Sequence, residues 1–201
     1  MAIQGLKCDP SEGVGTKTVS ISADMNTGRA PRTQTLTWIA IGAGELSREV
    51  IQGGMEEFVT FKTEVISIRS EGGTAELRGY SNSPRLTFEV DPRATLEVGI
   101  PQVYNVEGNS VSIGEDIPGD PGKTIAYDFN VKITVPPNTS NEEKSARIVV
   151  RGASSNVLDS CNIIMDPAPA FIKLSVDQIN LNYNGDPVNV TVESNVNWRV
   201  I

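Results

Sequence analysis

This sequence predicts an all-β chain of tandem β-sandwich modules. Three observations predict it: apolar side chains recur with a period of two in run after run, turn residues separate the runs about every ten positions, and no window sustains a helical period for three turns. In chain order the alternation begins at Val19/Ile21, where residues two apart share a face because a strand turns each successive side chain over. Residues 44–58 come nearest to a helix and are broken by Gly53-Gly54. Ile66/Ile68, Ala75/Leu77, Leu86/Phe88/Val90 and Leu96/Val98/Ile100 follow, punctuated by Glu71-Gly72-Gly73 and Ser81-Asn82-Ser83-Pro84. After the turn Gly119-Asp120-Pro121-Gly122 comes the longest run: Ile125, Tyr127, Phe129, Val131, Ile133 and Val135. The last runs are Ile179/Leu181/Tyr183, Val188/Val190/Val192 and Trp198/Val200, the first two parted by Asn184-Gly185-Asp186-Pro187.

Composition excludes several chemistries. The 201 residues suffice for two domains. With no histidine, the chain holds no Ser/His/Asp or Cys/His triad and no histidine-bearing zinc site. Its two cysteines cannot make a four-cysteine metal site or a disulfide framework. A net charge of −8 suits a phosphate backbone poorly, so no nucleic-acid partner is expected. The longest uncharged apolar run, residues 38–43, is far short of a membrane span, and no membrane is expected either. Residues 1–10 lack the apolar core of a secretory signal, which leads one to expect a chain that stays where it is made, with Cys8 and Cys161 as reduced thiols.

An internal repeat organises the chain. At an offset of 113, Phe58 meets Phe171, Ile66 meets Ile179, Gly72 meets Gly185, Leu77 meets Val190 and Ser81-Asn82 meets Ser194-Asn195. At 112, Asn26-Thr27 meets Asn138-Thr139 and Leu36 meets Ile148. The expected division is 58–170 as one complete module, 1–57 as the second half of such a module and 171–201 as the first half. A half sandwich exposes apolar faces and unpaired edges. The two halves are therefore expected to complete each other, within one chain or between neighbours, the second case giving a strand-exchanged homo-oligomer.

Two stretches resemble a known family. Val19-Ser-Ile-Ser-Ala-Asp-Met-Asn26-Thr-Gly28, Arg32-Thr-Gln-Thr-Leu-Thr and Glu49-Val-Ile-Gln52-Gly53-Gly54 are similar to the second half of a BACON-type immunoglobulin-like module. Leu174-Ser-Val, Ile179-Asn-Leu-Asn-Tyr183, Gly185, Val188-Asn-Val-Thr-Val192, Ser194-Asn195 and Trp198-Arg-Val resemble the first half. The middle departs from the pattern: Arg85 stands where Trp198 predicts tryptophan, Met165 where Gln52 predicts glutamine, and 91–124 reads as an insertion. The resemblance implies tandem immunoglobulin-like sandwiches, as in virion structural proteins of crAss-like phages of Bacteroidetes. The function it implies is a non-enzymatic auxiliary capsid protein, of decoration or head-fibre type, contacting the major capsid protein or other virion proteins. Its place would be the virion, reached by lysis. The alternative is a glycan- or mucin-binding adhesion module of a Bacteroidetes surface protein.

Candidate sites are few. Residues 119–124 read as a turn, because a strand rather than a helix follows Lys123 and no phosphate cradle can form. Glu115, Asp116 and Asp120 match no calcium-loop spacing, and Glu56-Glu57 and Glu142-Glu143 read as surface charge; no catalytic residue, metal or cofactor is expected. Trp38 and Trp198 read as core, leaving Tyr80 and Tyr104 as candidate glycan contacts. Lys17, Arg29 and Arg32 make a basic patch suited to docking on an acidic capsid surface, and the 91–124 insertion is the expected docking arm.

Overall fold

The computed structural model describes residues 1–201 and is built almost entirely of strands. The first four, β1 (Lys7–Asp9), β2 (Ser20–Ser22), β3 (Arg32–Ala40) and β4 (Gly44–Gln52), form two separate two-stranded sheets, β1 with β2 and β3 with β4. A sandwich follows. One sheet contains β5 (Val59–Phe61), β7 (Gly73–Ser81), β9 (Val103–Val106), β10 (Asn109–Ser112) and β11 (Tyr127–Val135), in the order β10-β9-β11-β7-β5. The facing sheet contains β6 (Val65–Ile68), β8 (Thr87–Val90), β12 (Lys144–Arg151) and β13 (Leu158–Met165), in the order β6-β13-β12-β8. Finally β14 (Ile172–Leu174) pairs with β15 (Val192–Ser194). Every pairing is antiparallel except that of β6 with β13.

The period of two becomes the core. On β11 the side chains of Tyr127, Phe129, Val131, Ile133 and Val135 are buried and those between them are not. Ala146, Ile148 and Val150 of β12 and Cys161, Ile163 and Met165 of β13 face them from the other sheet, with Leu77 of β7 beside β11. Each fully buried aliphatic of this kind contributes about 1.5–3 kcal/mol relative to exposure. Gly79, on β7, permits the closest approach inside the sandwich, since a Cβ there would overlap the Phe129 ring and the Thr60 carbonyl oxygen. Both cysteines are free, as expected, and burial together with nearby Asp159 pushes the Cys161 thiol up to about 11.

The core is confined to the middle of the chain. All buried apolar residues except Ile3 lie between Val59 and Met165. Of the exposed large apolar side chains, only Val65, Tyr80, Val103, Ile125 and Leu158 belong to that span. The rest crowd the two ends, where two-stranded sheets have no second layer to pack against.

Several expectations are corrected. The 91–124 insertion is no free arm: it supplies β9 and β10, and it buries Leu96, Tyr104, Val106, Val111 and Ile117 in the sandwich. Within it, Leu96/Val98/Ile100 is not a strand, because its one ladder contact is the bridge Gly99–Thr134. Ile125 falls outside β11 and is half exposed, since a single 3-10 turn at Pro121–Lys123 holds the backbone just before it. Ile179/Leu181/Tyr183 and Trp198/Val200 join no ladder, and Trp38 and Trp198 are 39% and 51% exposed instead of core. No ladder joins 1–57 to 171–201, so closure of the halves within one chain does not occur. The common reason is that alternation decides which face a side chain takes, whereas a strand also needs a partner edge.

Candidate assembly site

Residues 1–57 meet the central sandwich through a joint centred on Asn82, which is fully buried. Its Oδ1 accepts the Phe58 N–H at 2.9 Å, and its Nδ2 donates to the Glu56 carbonyl at 3.0 Å and the Thr27 carbonyl at 3.3 Å. Arg29 donates from Nε to the Asn82 carbonyl at 2.7 Å and pairs through Nη2 with both Asp120 oxygens. The Arg29 and Ala30 N–H groups bond the carbonyls of Gly122 and Lys123 at 3.0 and 2.9 Å. Arg32, 4% exposed, reaches the Thr124 carbonyl with Nη2 at 2.9 Å. Gly122 is required there, because a Cβ would overlap the Asn82 carbonyl.

This corrects the basic-patch expectation. Arg29 and Arg32 both turn into the joint: Arg29 pairs with Asp120 of the same chain, 91 residues away, and Arg32 reaches the Thr124 carbonyl and no acid. Lys17 alone of the three stays exposed. The sequence carries the charges but nothing in it pairs them.

A second joint repeats the first. Asn195 Oδ1 accepts the Phe171 N–H at 3.0 Å, and its Nδ2 donates to the Pro169 carbonyl at 3.0 Å and the Thr139 carbonyl at 3.4 Å. Ser81 Oγ donates to the Phe58 carbonyl and Ser194 Oγ to the Phe171 carbonyl, each at 2.7 Å. On the other side of each joint, Asn26 Nδ2 holds the Ala30 and Gly53 carbonyls, as Asn138 Nδ2 holds those of Glu142 and Asp166. The paired asparagines that mark the repeat in the sequence are thus the fasteners that fix one module on the next. They sit at opposite ends of the sandwich, beside Ser81–Tyr127 and beside Gly73–Val135 of the same β7/β11 ladder. Eight steps at about 3.4 Å separate those ends by roughly 27 Å.

Beyond the first joint, an open cleft of about 690 Å³ lies between the β1/β2 sheet and the β3/β4 hairpin. Val19, Leu36 and Trp38 line its apolar wall, with Cys8 and Lys17 among its other residues. At the offset of 112 these three correspond to Val131, Ile148 and Val150, all at 1% exposure or less in the central sandwich. What is core in the middle is an open wall at the end.

The other expected residues are dispersed. Tyr104 is a correction: 2% exposed, edge-on to Phe88 at 5.4 Å, it has no face free for a sugar. Burial also pushes its hydroxyl up to about 12. Tyr80 is exposed and edge-on to Phe58 at 5.5 Å. Asp116 faces Arg85 at 3.7 Å while Asp120 is taken by Arg29, so the acidic loop gathers no common site.

Glu57 is a fastener rather than surface charge. Its carboxylate accepts from Ser83 Oγ and the Ala153 N–H, each at 2.7 Å, and from Ser154. Burial pushes the carboxyl up, but the hydrogen bonds from Ser154, Ser83 and Ala153 outweigh it and hold the group below 4.5. A depressed carboxyl stabilises the fold above its unfolded value and ceases to do so as pH falls through its folded value. Glu57→Gln is therefore expected to lower Tm at neutral pH, with the gap from the native protein closing as the pH falls through the folded carboxyl's depressed range and the carboxylate is protonated. Paired thermal melts across pH check it.

No family model and no curated protein matches the chain. Among solved structures, one similar chain is a protein from Bacteroides thetaiotaomicron determined by NMR, 15% identical, covering 57% of this chain and 92% of that one at a TM-score of 0.28. Another is zebrafish RET cadherin-like domains 1 to 4, 10% identical, covering 76% of this chain and 37% of that one at 0.33. A third is an endo-fucoidan hydrolase of glycoside hydrolase family 107, 14% identical, covering 82% and 28% at 0.27. This chain thus spans well under half of the latter two.

Proposed function

We propose that the chain is a non-enzymatic structural protein of a Bacteroidetes phage virion, an auxiliary capsid protein of immunoglobulin-like modules that contacts other virion proteins. The observation that carries the reading is the repeated joint: the same asparagine, serine and backbone groups clamp both ends of the central sandwich. Such joints set the angle between successive modules and transmit load, which a spacer or capsid fastening needs. The side chains most suited to chemistry are instead engaged in holding the fold, Glu57 on the 153–154 backbone and Asp159 on the Phe61 N–H at 2.7 Å. The BACON-type resemblance of the two ends supplies the phage setting.

Mass spectrometry of density-banded virions from a phage encoding this chain tests the reading. Peptides in fixed ratio to the major capsid protein are expected. Their confinement to the unbanded lysate would overturn it. The adhesion alternative draws on Tyr80, the exposed aromatic on β7. Retention on immobilised mucin that Tyr80→Ala abolishes would favour it.

A further inference from the structure

We infer that the first joint is a binding site for buried water, held between the Arg32 guanidinium and the Gln52 amide as a permanent part of the fold.

Two cations enter this joint and one acid meets them. Arg29 takes both oxygens of Asp120, which leaves Arg32 without a counter-charge. Arg32 Nη2 donates to the Thr124 carbonyl at 2.9 Å, but Nε and Nη1 are enclosed and find no acceptor among the protein's own groups. At 4% exposure the side chain is also out of reach of bulk solvent. A buried charge is tolerated only when its remaining donors are hydrogen-bonded.

The matching acceptor stands on the neighbouring strand. Arg32 and Gln52 are Cα partners in the β3/β4 ladder, so their side chains leave the same face side by side. Gln52 Oε1 is buried and has no donor from the protein either. Its orientation is fixed, because Nε2 donates to the Asp24 carbonyl at 2.7 Å and the amide cannot turn over without losing that bond. Neither side chain is free to close on the other. Arg32 is tethered to the central sandwich at Thr124, and Gln52 to its own module at Asp24.

The chemistry of these atoms selects the ligand. Guanidinium N–H groups only donate and an amide oxygen only accepts, so whatever lies between them must accept from one and donate to the other. Water does both, and a molecule with these two partners has the polar contacts that a buried water needs. An anion would satisfy the guanidinium but set its negative charge against the Gln52 oxygen. The repeat shows the alternative closure. At offsets of 112 and 113, Arg32 and Gln52 correspond to Lys144 and Met165, themselves Cα partners. Met165, at 0% exposure, fills with an apolar side chain the place that Gln52 leaves to water. The inference does not rest on the virion reading, since it uses only groups within the joint.

Oxygen-17 magnetic relaxation dispersion on the 201-residue chain tests it, because it counts water molecules that stay bound for longer than the protein takes to tumble. Gln52→Met copies Met165 and removes the acceptor. The native protein is expected to hold at least one more long-lived water than this variant, and equal counts overturn the proposal. A crystal structure of the native chain is independent of the variant. Water is expected within about 3.2 Å of both an Arg32 guanidinium nitrogen and Gln52 Oε1. A direct Arg32–Gln52 hydrogen bond there overturns the proposal, as does anomalous density for bromide beside Arg32 after a bromide soak.

Discussion

Asn82→Ala is expected to destabilise the protein by about 3 kcal/mol, more than a hundredfold in the folded-to-unfolded ratio. The side chain has no exposure. Its removal strands the Phe58 N–H and the Glu56 and Thr27 carbonyls in the joint. A buried donor or acceptor left unsatisfied costs about 1–3 kcal/mol each, the 3.3 Å bond to Thr27 being the weakest of the three. Asn195→Ala supplies the control. It breaks the same three bonds in the second joint, but there the side chain is only partly buried and water can replace it. Its cost is expected to stay below about 1 kcal/mol. Urea unfolding followed by circular dichroism measures both. Equal losses would mean that burial of the joint is not the cause.

Phe129→Ala is the other large effect, expected at about 3–5 kcal/mol. The ring stands edge-on to Phe61 at 6.0 Å and to Phe88 at 5.8 Å, and Phe88 stands edge-on to Tyr104 at 5.4 Å. This chain of rings fills the space between the sheets, and Gly79 leaves room beneath it. Truncation removes the aromatic contacts and opens a cavity that neighbours on two hydrogen-bonded sheets cannot close. Phe129→Leu, which keeps most of the volume, is expected to cost less than half as much. Against a typical stability of about 5–15 kcal/mol, the alanine variant would lose a large share of its folding free energy. Denaturant midpoints for both variants decide it, and a loss for alanine no greater than for leucine would contradict the packing account.

The legible part of the fold was the part in which local pattern and long-range packing agree. β11 could be read from five alternating buried residues, Tyr127 to Val135, and β7 and β8 likewise carry inner faces that Ala75/Leu77 and Leu86/Phe88/Val90 mark in the sequence. The equivalence of Asn26 with Asn138 and of Asn82 with Asn195 was also visible, though not its purpose. Tyr104 shows where this stops. It lies in a stretch that reads as an insertion, and its burial follows from β9 lying against β11, a pairing that no periodicity encodes. Arg29 shows the same limit for charge: attraction acts through space, and Asp120 is remote along the chain.

By itself, then, the sequence determined the all-β class, the face each strand turns inward and the repeat that places equivalent residues 112 or 113 apart. Those properties follow from backbone geometry and side-chain polarity within a few residues. Only the tertiary structure decided that the insertion is core, that the basic residues fasten a joint, and that the apolar faces of the two ends remain uncovered at opposite poles of one sandwich. Each of these depends on which distant segment supplies the neighbouring edge or the opposing charge. A ladder or an ion pair has two members, and the sequence around one of them does not specify the other.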